Sequence, residues 1–532
     1  MKRALIGLAI LLVVATTSFA AGGQQTTQAA TGDFVFGRDP VSFSWYVHNN
    51  VFVARDYGVD YKAEVYIKET YNVDIKMIDA GGAAEQKLTT FIVSNDFPDV
   101  MTLPRSQLAR LVENGILVAF DDWLPDSYFL EAMGEGAINM LRSPDGKLYQ
   151  YPDWMISGDE GNGNGGWIIQ DAVHKALGSP RLETFDDLYA YLRQVRERFP
   201  DMIPLAVTQN FSGFRPIFAG FGEGMFQNSL SSLYAVPDGD RLVSVFEHPV
   251  FQEAALFTAR LFREGLIDQD SFALNRDQDL ERLPQAAVVA SENIAMRGRE
   301  TRTALKRTNP DNEWIPIWPI RKAGLDPNRI YPNSFNRLGG TVNVITRQAR
   351  NPEAIFRYLD FAASPMANLI TWYGPPGLYW TADQGFTPEG YPIDMRDSYF
   401  TAPAEEVRFA QGFGRIGNTT FIDGMARYFN QIDPSKTDWT KNAQINVAWR
   451  TSQDATEFTG IEPAAGTPMG IIHQEVQDIY TVTLSQIMFA GSDAEVRSVI
   501  ARAAREANAA GMPQLLDSMT EAWQRNLDLL GN

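Results

Sequence analysis

The chain of 532 residues carries 46 Lys and Arg against 65 Asp and Glu, a formal net charge of −19, and no cysteine. An acidic surface repels nucleic-acid phosphates, and no basic stripe interrupts it, which sets nucleic-acid binding aside. The missing cysteine excludes disulfides and a lipid-bearing cysteine anchor, so stability rests on core burial, and the length implies two or more domains.

Lys2 and Arg3 precede the apolar run Ala4–Ala15, and small residues follow to Ala20, the order of a secretory signal. The run is shorter than the roughly 20 apolar residues that span a bilayer, so residues 1–20 read as a cleaved signal and 21–32 as a flexible leader. Val41–Val47 alternates as a strand, and a helix is expected from about Ala54 to Tyr71. A strand at Val73–Met77, a helix at Ala83–Val93 and a strand at Asp99–Leu103 complete a βαβαβ opening, the pattern of a mostly parallel sheet under helices. A second unit opens with the strand Trp167–Ile169. Thr184 and Asp187 then cap a helix whose Phe185, Leu188, Leu192, Val195 and Phe199 share a face, and Met202–Val207 is the next strand. Between the units, residues 157–167 (SGDEGNGNGGW) read either as a surface loop or as a hinge or cleft-mouth loop. Ala286–Ala290 is a further strand, and Trp314 and Trp318 flank a second crossover, EWIPIWPI. The C-terminal part is helical. Asn351 caps a helix with Pro352 at its first position, Ser492 opens one that stops near Gly511, and Leu516–Leu530 form a last amphipathic helix.

Several soft motifs resemble the family 1 extracellular solute-binding proteins of ABC importers. They are FPDVMTL at 97–103, DGKLYQYP at 145–152, NPEA at 351–354 and WYGPPGLYW at 372–380. The segment from Ile168 to Leu188 keeps Asp171, Leu177, Gly178 and Thr184 of a further family pattern but lacks its arginine and tryptophan. The likeness is to the large branch that binds oligosaccharides such as alginate fragments. It implies an α/β, two-lobed periplasmic binding protein fold (type II-like), each lobe a mostly parallel sheet flanked by helices, with a helical C-terminal part. Lobe 1 would take 33–155 plus about 315–380, and lobe 2 would take 156–314 plus about 381–532. The implied role is a free periplasmic monomer that captures a sugar or oligosaccharide by closing its lobes and delivers it to ABC permease subunits. Many members of the branch carry a calcium loop after the helix that ends here at Phe199. The stretch Phe199–Pro204 offers only Asp201, too few oxygens for that cage, so no metal and no cofactor are expected there. Asp159, Asn162 and Asn164 could meet an ion only by accident of spacing.

Sugar recognition requires flat aromatic faces for C–H patches and planar polar groups for adjacent hydroxyls. Such sites lie beyond the carboxyl ends of parallel strands and between domains. Trp45, Tyr46, His48 and Asn49 follow the first strand; with side chains alternating, one of Trp45 and Tyr46 should face the core and the other the ligand. Tyr379 and Trp380 follow a Gly-Pro-Pro-Gly turn expected to expose them, and Tyr373 precedes it. Tyr151 and Trp154 fall where the chain crosses between lobes. Trp167, Phe211 and Arg215 are further candidates, with core packing as the plainer reading, and Glu292 and Asn293 follow an apolar strand. No GxSxG, HExxH or Walker motif is present, and four histidines leave little for a metal hydrolase, so no enzymatic activity is expected.

Overall fold

Thr184 accepts a hydrogen bond from the Asp187 amide at 3.2 Å, while the Asp187 carboxylate accepts one from the Thr184 amide at 2.9 Å. This reciprocal cap starts the helix Phe185–Arg198, whose Phe185, Leu188, Leu192 and Val195 are buried as their spacing requires. Asn351 caps Pro352–Ala363 through the Ala354 amide at 3.1 Å. Ser492 caps Asp493–Ala510 through the Glu495 amide at 3.2 Å, and Gly511 ends that helix in the left-handed region. One early helix is shorter than expected. It spans Lys62–Tyr71, because Gly58 takes a positive φ and the buried Glu64 carboxylate accepts from the Gly58 amide, turning residues 54–61 into an irregular loop.

The computed structural model describes residues 34–531 except 159, 273 and 465, and not the side chains of Gln209 and Thr308. The expected signal and leader, and Asp159, lie outside the described residues. No helix among the described residues is long and apolar enough to cross a membrane.

Two sheets organise the unit that begins at Phe36. In the first, Val41–Val47 pairs in parallel with Val73–Ile78 and with Val100–Pro104. Thr341–Ile345 then adds antiparallel to Val100–Pro104, and Tyr151–Pro152 adds antiparallel to it. In the second, Ala286–Ser291 pairs in parallel with Ile203–Ala206 and antiparallel with Gly166–Gln170, which is also antiparallel to Trp314–Ile317. The α/β class therefore stands, with sheets that are mixed rather than mostly parallel. Strands that bring the chain in from the other sheet enter from the opposite end and run against the βαβ strands. The return to the first sheet comes at Thr341 rather than near 315, since Trp314–Ile317 is still a strand of the second.

The chain passes between the sheets at 153–165 and again at 336–340, and the two crossings are bonded together. The Ile156 amide donates to the Arg337 carbonyl at 2.9 Å, and Arg337 returns Nε and Nη2 to the carbonyls of Ile156 and Ser157, each at 3.1 Å. Gly339, at φ +62°, lies so close to the Trp154 carbonyl that a Cβ would stand 2.5 Å from it. The helices Pro468–Phe489, Asp493–Ala510 and Met512–Leu530 belong to the large core of the second sheet, through residues such as Val476, Val496, Leu515 and Trp523.

Candidate functional site

The carboxyl end of Ala286–Ser291 delivers Glu292 and Asn293 to a cleft of about 910 Å³ between the two sheets. The glycine-rich crossing contributes Asn162 and Asn164, and the strand Trp154–Met155 contributes Trp154. The same cleft is lined by Trp372 and Tyr373, at the end of the helix Pro365–Tyr373, with Asp423 of Thr419–Ile432 and Lys441 and Gln444 of Trp439–Asn446.

The Trp154 and Trp372 rings are 5.3 Å apart at 47°, an aromatic pair on the cleft wall. Glycines make room for both. Any side chain at Gly414 would run into the Trp372 ring, and a Cβ at Gly417 would stand 2.7 Å from the Trp154 ring. Around the pair lies a network of planar polar groups. Asp423, 6% exposed, accepts from Asn162 Nδ2 at 2.8 Å and from Lys441 Nζ at 2.7 Å. Gln444 donates Nε2 to Asn164 Oδ1 at 2.7 Å. Glu292 is ion-paired with Arg215 and accepts from Gln227 Nε2 at 3.3 Å. Burial lowers the pKa of Arg215, which stays charged and pairs with Glu292. Burial pushes the Tyr373 phenol well above its ordinary range, and its hydroxyl donates to the Ile422 carbonyl at 3.1 Å.

Three polar atoms of cleft-lining residues have no protein partner: Trp372 Nε1, Thr440 Oγ1 and Gln444 Oε1. Thr440 and Gln444 are each 5% exposed. A buried donor or acceptor without a partner costs about 1–3 kcal/mol, and others of this kind, Trp167 Nε1 and Tyr191 Oη among them, lie in the core away from the cleft.

Of the residues singled out in the sequence, Trp154, Glu292, Asn293 and Tyr373 line this cleft, and Arg215 stands behind Glu292. The others do not. Trp45 and Tyr46 are both buried, because the strand is covered on each face: Trp45 packs on Tyr358 and Phe413, and Tyr46 on Phe91. Trp45 also donates Nε1 to Thr102 Oγ1 at 2.8 Å. His48 is held between the Tyr46 hydroxyl and Glu85, and Asn49 Oδ1 accepts from the amides of Val51 and Phe52 to shape the turn. Tyr151 is buried with its hydroxyl donating to Asp360 at 3.2 Å. Trp167 and Phe211 are core, the latter stacked on Phe272 at 4.7 Å. Tyr379 and Trp380 are buried rather than exposed, because the glycine-proline turn folds the chain back on itself. Trp380 donates Nε1 to the Gly374 carbonyl at 2.7 Å, and Tyr379 donates to Glu406 at 3.0 Å.

The sequence reading passed over Trp372, Tyr399, Asp423, Lys441 and Gln444. Trp372 stood in view beside Tyr373, and the small residues Gly414 and Gly417 were the available sign that rings lie flat on that backbone. The helical residues at 423, 441 and 444 follow no spacing that separates them from a solvated helix face. Among the described residues, no group of three or more His, Cys, Asp or Glu side chains could hold a metal ion.

No protein-family model matches the chain, and a comparison with curated proteins returns no match. Solved structures do match it. The alginate-binding protein AlgQ2, in a structure without calcium, aligns over 92% of this chain and 98% of its own, with a TM-score of 0.65 and 16% identity. An HMO-binding, ABC-transporter-associated solute-binding protein from Bifidobacterium longum infantis aligns over 91% and 99%, with a TM-score of 0.64 and 13% identity. The substrate-binding protein FusA of S. pneumoniae, in complex with kestose, aligns over 91% and 99%, with a TM-score of 0.61 and 15% identity. The chain has the solute-binding-protein fold. At these identities the likeness is one of fold, and it spans nearly the whole of each partner.

Proposed function

We propose that this protein is the extracytoplasmic substrate-binding component of an ABC importer, and that it captures a sugar or oligosaccharide in the cleft between its two sheets. The observation that carries the reading is the partly exposed Trp154–Trp372 pair on a cleft whose lining also supplies Asn162, Asn164, Asp423 and Gln444. Aromatic faces cover the C–H side of a pyranose ring, and the amides, carboxylates and hydroxyl around them bond its hydroxyls. A cleft of about 910 Å³ suits several sugar units rather than one. The solved proteins sharing the fold include binders named for alginate, HMO and kestose, which supports this ligand class.

The mechanism is conformational and needs no covalent step. Ligand groups contact both walls only when the lobes approach, so binding energy favours the closed form that a permease would accept. The bonded crossings at 153–165 and 336–340 are the hinge of that motion, and the protein acts as a periplasmic monomer. Titration with a panel of neutral and acidic oligosaccharides, read by tryptophan fluorescence and melting temperature, tests the reading. At least one glycan should saturate and raise the melting temperature; no response across the panel, or cleavage of a glycan, would sink it.

A further inference from the structure

Behind the crossing at 336–340 lies a second cavity, of about 1040 Å³. It shares Asn336 and Gly339 with the front cleft, so one crossing segment walls both spaces. The lining is different in kind. Leu108, Val112, Met140, Pro463 and Phe458 give it an apolar stretch, and no Trp or Tyr lines it.

Polar and charged residues make up nearly half of that lining, and two of them bear on a ligand. Arg105 donates Nε to Gln150 Oε1 at 3.0 Å and Nη2 to the Leu338 carbonyl at 2.6 Å. Gln150 is 3% exposed and is itself fixed by donating to the Leu141 carbonyl at 2.7 Å. The guanidinium is thus locked by neutral partners, with Nη1 left for the cavity. Asp153 and Glu462 act on it only through space, and burial lowers its pKa to about 10, a sign that its charge is poorly compensated. The second group is the Thr459 hydroxyl, which is buried without a partner on a residue 6% exposed. Glu113, Asp145 and Glu462 also reach this wall, and Asp145 is already engaged by the Tyr149 hydroxyl and the Lys147 amide.

We infer that this rear cavity is a second ligand site, which takes a carboxylate carried on an aliphatic body. A fixed guanidinium with a free edge is matched by a carboxylate better than by any neutral group. The apolar stretch buries the body, and Thr459 donates to a further ligand oxygen. The site stands on its own residues and does not depend on what the front cleft holds.

Calorimetry on the whole protein with octanoate, octylamine and octanol tests this. Octanoate should bind saturably and at least about tenfold tighter than the other two, a difference of about 1.4 kcal/mol. Arg105→Gln should bring octanoate down to the level of octanol, and Val112→Trp, which fills the cavity, should abolish its binding. The wild-type ranking decides the matter should either variant fail to fold. No saturable octanoate binding, a preference for octylamine (which would put Glu113 and Glu462 in charge), or an unchanged affinity in the Arg105→Gln protein would each overturn the assignment.

Discussion

Two aromatic clusters in this molecule have opposite fates. Trp45, Tyr46 and His48 end the first strand of the first sheet, where helices cover both faces and each polar atom finds a protein partner. Trp154 and Trp372 stand at a crossing and at a helix end, partly exposed, with glycines beneath them. The difference teaches that a strand's carboxyl end marks a site only where no layer covers it. What separates the two clusters is exposure: Trp154 and Trp372 keep part of their rings open to the cleft, whereas Trp45 and Tyr46 are covered.

That contrast can be broken by substitution. Trp45→Ala should cost about 3–5 kcal/mol of stability, as large-to-small core changes do, and leave glycan affinity of the folded protein unchanged; denaturant unfolding with parallel titration reads both. A loss of affinity without a loss of stability would place Trp45 at the ligand.

The crossing beneath the second cluster carries a buried carboxyl, Asp153. Burial raises the Asp153 carboxyl to about 6, with Arg415 and Arg105 pulling the other way. A carboxyl whose folded pKa is raised holds its proton more tightly when folded. Its ionisation therefore destabilises the fold above about pH 6, and that penalty is relieved as pH falls towards the unfolded value near 3.8. Relative to Asp153→Asn, the wild type should gain about 1–3 kcal/mol between pH 8 and pH 4, measured by urea unfolding at the two values. Parallel pH profiles for the two proteins would refute the assignment.

Trp372→Ala should behave as the converse of Trp45→Ala. Glycan affinity should fall by roughly ten- to hundredfold, about 1.4–2.8 kcal/mol, with a stability loss under half that of Trp45→Ala. The smallest effect sharpens the hinge. Gly339→Ala places a Cβ against the Trp154 carbonyl at positive φ, and should cost about 1–2 kcal/mol by thermal unfolding and weaken glycan binding severalfold.

Much of this architecture was legible in the chain. Thr184, Asn351 and Ser492 start the helices their chemistry calls for, and the strands at Val41, Val73 and Asp99 to Val100 fall in place, because caps and alternation are local signals. Strand direction was harder, since whether Gly166–Gln170 runs with or against Ala286–Ser291 depends on where the chain enters the sheet, which no local pattern encodes. The site was legible in part for the same reason. Glu292 and Asn293 follow a recognisable strand, whereas Asp423, Lys441 and Gln444 sit on helices whose inward face becomes a cleft wall only once the second sheet is placed opposite. Tyr379 and Trp380 misled because a glycine-proline turn can present its neighbours to solvent or fold them under itself, and here the Gly374 carbonyl captures the Trp380 indole.

The most direct test of the central claim is a crystal structure of the protein with a glycan selected by titration. A sugar ring should lie against Trp154 or Trp372, with its hydroxyls within hydrogen-bonding distance of Gln444 Oε1 and Thr440 Oγ1. A glycan bound at the Trp45–His48 cluster or on the outer surface, with those cleft atoms still unpartnered, would contradict the account.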